Sequence, residues 1–225
     1  MDYQAPCQYS IRLIDRLKSL DTKNVLDFDL INKAIYWAKK YHGDQKRKSG
    51  EPYYSHPLEV AYMISEYKLK TDVIVASILH DIIEDTEVTV EMIQVTFGER
   101  IAEMVDRLTR DRPDGSKLSV EEIINNAYTL KDQDVLMIKL IDRFHNMQTM
   151  NSLSHVKKVQ NSYEVISAFL PITTLFDDID LEVALARISM HFLSSKEDKF
   201  LQALEKKDLV SFLDKKSGLC HIPLQ

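Results

Sequence analysis

The sequence predicts an all-α fold, and three observations predict it. Only five glycines and six prolines interrupt 225 residues, so long unbroken elements are expected. Apolar residues recur at steps of three and four, whereas the alternation of a half-buried strand is scarce. Several of these segments also open on residues that cap helix N-termini.

Along the chain, each element has its own signal. In DLINKAIYWAKKY, Leu30, Ile31, Ala34, Ile35 and Ala38 make one apolar face. A polar turn, HGDQKRKSGEPYYSH, follows. Pro57 stands near a helix start, where a missing N–H is tolerated, and PLEVAYMISEY continues with Leu58, Ala61, Met63 and Ile64 apolar. Thr71 or Asp72 is the expected cap of the next helix, TDVIVASILHDIIED. TVEMIQVTFGERIAEMVDRLTR reads as two helices with a break around Gly98. Pro, Asp and Gly mark DRPDGSK as a loop, and Ser119 with Glu122 fits a capping box opening SVEEIINNAYTL. The run DVLMIKLIDRFHNMQTM is apolar on most sides, as in a central helix. Pro171 closes or kinks a helix that begins near Val159, and Ser194 with Glu197 forms another capping box before KFLQALEKKDLVSFL. The expected division is an N-terminal helical extension over 1–27, one helical domain over 28–175, and a C-terminal helical extension over 176–225.

Composition narrows the function classes. A hydrophobic fraction of 44% supports a sizeable core, while a net charge of −6 does not suit a protein that coats nucleic acid. An anionic ligand would need a local basic patch. Cys7 and Cys220 offer neither a disulfide framework nor metal-ligand spacing, which fits a reducing compartment. No run near the N-terminus has the length of a leader, and none reaches the ~18 apolar residues of a membrane span. A soluble cytoplasmic protein without membrane or nucleic-acid partners is expected; its oligomeric state is left open.

The segment LHDIIEDT concentrates chemistry. On a continuous helix His80 aligns with Glu84, and Asp81 with Asp85, so that four adjacent side chains face one cavity. An imidazole among carboxylates suits a divalent metal, and a cation would relieve the mutual repulsion of the acids. An exposed acidic helix end is the alternative. Two further segments weigh against it. In KLIDRFHNM, Asp142 interrupts a run of Leu136, Met137, Ile138, Leu140, Ile141, Phe144 and Met147, and a buried carboxylate needs a partner. Asn146 and Thr149 continue its polar stripe. In SHPLEV, His56 precedes a helix start. His56, His80, Asp81 and Asp142 together supply two nitrogens and two oxygens. The densest basic patch, Lys46, Arg47 and Lys48, stands shortly before His56. Beside a metal site it reads as a clamp for a phosphorylated ligand, Arg offering planar stacking and bidentate contact, Lys a mobile point charge.

RKSGEPYYSHPLEVA, ILHDIIEDT, FGERIAEMVDRLT and IKLIDRFHNMQT occur in this order. From about residue 30 to 175 they closely resemble the hydrolase domain of the RelA/SpoT homologue family, within the HD superfamily of metal-dependent phosphohydrolases. The resemblance implies an all-α HD fold with a Mn²⁺ ion held by His56, His80, Asp81 and Asp142. It implies that Glu84 and Asp85 position or activate the attacking water. Arg47, Lys48 and Ser49 would lie along the nucleotide, with Arg47 against guanine and Lys48 near phosphate, and Asn146 and Thr149 would contact it as well. The implied reaction removes the 3′-pyrophosphate of the guanine nucleotide alarmone (p)ppGpp, giving GDP or GTP and pyrophosphate.

The chain departs from the family pattern at Ile141 and Phe144, in the stretch EVISAFLPIT that retains Glu164 and Pro171, and at Thr173 and Phe176. None of these positions belongs to the metal set. LEVALARISMHFL resembles the segment that joins hydrolase to synthetase in long members, yet the residues after 175 are too few for a second catalytic domain. Hydrolysis without synthesis is therefore expected. Two alternatives are a phosphohydrolase of a related nucleotide, such as one removing the 2′-phosphate of NADPH, and a nucleotide-binding module whose catalysis has decayed. The intact metal and acid residues argue against the second.

Overall fold

The computed structural model describes residues 3–112 and 115–194. Glu197 of the expected capping box, the helix after it, and Cys220 lie outside the described residues, as do Pro113 and Asp114 of the expected loop, while Ser194 is the C-cap of the last described helix. Among the described residues twelve α-helices follow one another: α1 (Gln8–Leu20), α2 (Phe28–His42), α3 (Ser55–Ile64), α4 (Thr71–Leu79), α5 (Ile82–Asp85), α6 (Val90–Phe97), α7 (Glu99–Leu108), α8 (Val120–Thr129), α9 (Gln133–Gln148), α10 (His155–Glu164), α11 (Leu170–Thr173) and α12 (Ile179–Leu193). Extended pairing among the described residues is limited to two isolated bridges, Lys46 with Pro52 and Asp111 with Lys117.

Local chemistry sets most of the boundaries. Asp27, Thr89, Asp132, Ser154 and Asp178 each accept an amide of the first turn of α2, α6, α9, α10 and α12. Ser119 and Glu122 form the expected capping box of α8. Gly98 takes φ +93° between α6 and α7, a conformation that disfavours other residues, and so breaks the chain where expected. At α4, Lys70 is the N-cap and offers no side-chain capping bond; Thr71 instead accepts the amide of Asp27, and Asp72 that of Val73. The helix expected to begin near Val159 begins at His155. It widens into a π turn over Val165–Phe169, where the amide of Leu170 reaches back to the carbonyl of Val165. Pro171, with no N–H to offer, follows directly, so it marks a change of helical register.

Two helices are buried almost all round. Every residue of α4 from Val73 to Leu79 is buried, and α4 packs on α2, α3, α7 and α9. Helix α9 is buried continuously from Asp134 to Asp142. Ile141 is fully buried and Phe144 packs against the core from its edge, so both departures in this segment are packing residues. Helix α1 packs on α3, and α12 on α9 and α10. Because α4 and α9 are the core, their few polar residues are held in fixed places. Truncating the core at Ile78 should therefore be costly. Ile78→Ala is expected to lower unfolding free energy by about 2–5 kcal/mol in denaturant titration, against ~1 kcal/mol for the cap variant Ser119→Ala.

Candidate metal and nucleotide site

The site forms where α3, the junction of α4 with α5, and α9 meet. His56 stands in the first turn of α3, and Asp142 lies on the inner face of α9. The helix expected to run through LHDIIEDT is interrupted. Helix α4 stops at Leu79, Asp81 adopts φ −100° and ψ −2°, and α5 restarts at Ile82. That break turns both His80 and Asp81 toward α9. It also parts the two acids that follow: Glu84 lines the cavity, whereas Asp85 does not.

Oδ1 of Asp142 is the meeting point. It lies 3.1 Å from His56 Nε2 and 3.6 Å from His80 Nε2, and accepts a 2.7 Å hydrogen bond from Asn146 Nδ2. Oδ2 lies 3.6 Å from Lys139 Nζ. The Asp81 carboxylate stands alongside, Oδ1 at 3.1 Å from His80 Nε2 and Oδ2 at 3.5 Å from His56 Nε2. One ligand atom each from His56, His80 and Asp142 lies within 4.8 Å of the others, a spread that suits donors around one ion. His80 Nδ1 donates to the carbonyl of Ser77 at 2.7 Å, which directs Nε2 toward the cluster. That nitrogen is buried and has no hydrogen bond of acceptable geometry despite the nearby Asp81 oxygen. A buried orphan nitrogen facing two carboxylates fits a divalent cation.

The electrostatics agree with the geometry. Burial alone would raise Asp142, but the adjacent His56 and His80, with Lys139 nearby, hold it well below the usual carboxylate range. Burial would likewise lower His80, yet Asp81 and Asp142 hold it well above an ordinary imidazole. His56 falls instead, because its burial outweighs the same carboxylates. Burial, with His56 and Arg47 nearby, pushes His145 down to about 3. Glu84 is raised by burial, which outweighs the Arg110 amide that its Oε1 accepts.

The cavity, about 550 Å³ in volume, is lined also by Lys46, Arg47, Lys48, Arg110, Lys139 and Arg143. Ser49, Asn146 and Thr149 line it too. Arg47 donates to Asn146 Oδ1 at 3.1 Å and Thr149 Oγ1 at 3.2 Å, so the basic loop and the end of α9 form one surface. Of the eleven residues expected at the site, nine line the cavity, and the compact donor group is His56, His80 and Asp142, with Asp81 beside it. His80 lies behind the cavity wall, and Asp85 lies outside it, beside the Tyr53 hydroxyl, which also reaches Asp81 Oδ2 at 3.4 Å. Sequence reasoning missed Tyr53, Arg110, Lys139, Arg143 and His145. Lys139 and His145 had a usable signal, each standing three positions from Asp142 on one helix. Arg110 had none, since only folding brings its loop to Glu84.

Comparison with known proteins places these residues in context. The HD domain family model matches residues 34–174. A GTP pyrophosphokinase of Myxococcus xanthus is 34% identical over 185 residues, covering 79% of this chain and 24% of that protein. A probable guanosine-3′,5′-bis(diphosphate) 3′-pyrophosphohydrolase of Synechocystis is 31% identical over 214 residues, 87% of this chain and 28% of that protein. The Aquifex aeolicus guanosine-3′,5′-bis(diphosphate) 3′-pyrophosphohydrolase is 36% identical over 144 residues, 63% of this chain and 21% of that one. The chain thus spans about a quarter of the length of these relatives. A solved structure described as a metazoan ortholog of SpoT that hydrolyzes ppGpp and plays a role in starvation responses aligns with a TM-score of 0.55. The alignment is 20% identical over 83% of this chain and 97% of that one, a likeness of fold. No described helix is long and apolar enough to cross a membrane.

The charge arrangement predicts how a cation acts on stability. The raised pKa of His80 means that its protonated form stabilises the metal-free fold below the unfolded pKa, near ~6.5. That contribution is lost as pH rises through the folded pKa. A cation has to displace this proton, so Mn²⁺ should bind more weakly at pH 5.5 than at pH 8. At pH 8 and a hundredfold excess over Kd, calorimetry is expected to show stabilisation of about 2.7 kcal/mol. An equal shift at both pH values would contradict the assignment of the proton.

Proposed function

This chain belongs to the HD domain family, and from that premise we propose that it is a metal-dependent (p)ppGpp 3′-pyrophosphohydrolase. Residues 28–175 are its catalytic unit, and Mn²⁺ is its metal. The observation that carries the reading is the cavity itself, where nitrogen and oxygen donors converge in a pocket also lined by cations. Relatives matched over this region are named both as a pyrophosphokinase and as pyrophosphohydrolases. Hydrolysis is favoured because a metal-binding cluster lies beside a carboxylate placed to take a proton from water.

His56, His80, Asp81 and Asp142 hold the ion. A bound divalent ion supplies Lewis-acid polarisation of a phosphoryl oxygen and lowers the pKa of water. Glu84 is the proton acceptor. It lines the cavity, the Arg110 amide occupies one of its oxygens, and burial raises its basicity. The water oxygen bonds to the phosphorus next to the ribose, and the bond from that phosphorus to the 3′ oxygen breaks. The 3′ oxygen leaves with the electron pair and takes up a proton. Arg47, Lys48 and Ser49, with Asn146 and Thr149, hold the nucleotide, and Lys139 and Arg110 offset phosphate charge. Asp85, outside the cavity, acts through Tyr53 on the placement of Asp81.

The purified protein is expected to release pyrophosphate from ppGpp with Mn²⁺, and to stop with chelator. His80→Ala and Asp81→Ala should each abolish both metal binding and turnover. Glu84→Gln should keep metal affinity while kcat falls by roughly 10²–10⁴-fold, with Asp85→Asn less damaging. Metal-stimulated release of phosphate from NADPH, with ppGpp untouched, would move the substrate; binding of ppGpp without turnover would indicate a binding module. Full activity in Asp81→Ala would refute the site.

A further inference from the structure

The two histidines of the cluster are held in different ways. A nitrogen that ligates a metal must be unprotonated, so a neutral imidazole ligating through Nε2 carries its proton on Nδ1. For His80 the partner of that proton is the Ser77 carbonyl, which can only accept. The arrangement allows one tautomer. For His56 the partner is Nδ1 of His145, at 2.8 Å, with the rings 4.9 Å apart and tilted by 31°. Two ring nitrogens facing each other share one proton, and either can own it.

If His145 donates, a neutral His56 must carry its proton on Nε2. There it can serve the 3.1 Å hydrogen bond to Asp142 Oδ1 but cannot bind a cation. If His56 donates, Nε2 is bare toward Asp142 and Asp81. His145 must then be bare at Nδ1 and protonated at Nε2. Metal binding at His56 Nε2 thus dictates the direction of the hydrogen bond on the far side of the same ring.

We propose that His145 is a positioning residue of the metal site: as an Nδ1 acceptor it fixes His56 in the ligating tautomer. The inference rests on the metal-site reading above. Helix α9 carries His145 and Asp142 three residues apart, so one helical turn supplies both a ligand and the group that orients a second ligand. The Thr149 hydroxyl donates to the carbonyl of His145 at 2.9 Å, bracing the turn from which the imidazole projects.

The test is Mn²⁺ affinity of the full chain, measured by calorimetric titration without nucleotide. Asn at this position can put an oxygen near the place of Nδ1, whereas Ala offers no acceptor. His145→Ala is expected to weaken Mn²⁺ binding by roughly 10–100-fold, and His145→Asn to restore most of that loss. Metal-free melting temperatures of the variants identify any that are misfolded. The wild type loaded with diamagnetic Zn²⁺ gives a reading that needs no variant, since imidazole nitrogen shifts should assign His145 to the Nε2–H tautomer. Unchanged affinity in His145→Ala, or an Nδ1–H tautomer in the Zn²⁺-loaded protein, would overturn the proposal while leaving the metal site standing. No rescue by His145→Asn in a folded variant would reduce His145 to packing. A wild type that binds no divalent ion would sink this inference and the metal-site reading together.

Discussion

The buried carboxylate of Asp142 is the constraint around which the site is arranged. It projects from the stretch of α9, Asp134 to Asp142, that is continuously buried, and an unpaired charge there costs several kcal/mol. Four groups answer it: His56, His80, Asn146 and Lys139. Each comes with its own backbone, so satisfying one carboxylate draws together the start of α3, the end of α4 and two further turns of α9. Asn146 in turn accepts from Arg47, which extends the same network to the basic loop. The metal cluster and the nucleotide-facing surface are two ends of one chain of hydrogen bonds.

A second carboxylate beside the first would be unfavourable without positive charge between them. Asp81 stands there because the helix stops at Leu79, and its two oxygens face the two histidines. A divalent ion would supply that charge at short range. Cations line the same cavity, and Lys139 comes within 3.6 Å of Asp142 itself. Such a lining suits a ligand that brings its own negative charge, as a phosphorylated nucleotide does.

Local departures from regular helix occur where the site needs them. The break at Asp81 aims two ligands inward and puts Glu84 on the cavity wall while sending Asp85 elsewhere. The π turn before Pro171 lies near Glu164, which pairs with Arg143 at the cavity, and Phe169 beneath the Arg143 guanidinium completes that contact. These irregularities depend on packing around them, since neither is favourable in an isolated helix.

Much of this molecule was legible in the sequence because its signals are local. Helical periodicity identified α2, α6, α7 and α9; Gly98 and the Ser119 box marked boundaries through backbone geometry that neighbouring residues alone dictate. His56, His80, Asp81 and Asp142 were recognisable as donor types, and Asp142 also as a polar residue inside an apolar run. The interruption of the helix after Leu79 was not legible, since nothing in LHDIIEDT forbids a continuous helix; the packing of α4 against α9 decides it. For the same reason Glu84 and Asp85, adjacent and chemically alike, could be separated in role only by tertiary placement. His145 and Arg110 complete the contrast. Sequence supplied their chemistry, and long-range contact alone, across 89 positions to His56 and 26 to Glu84, decides which groups that chemistry meets.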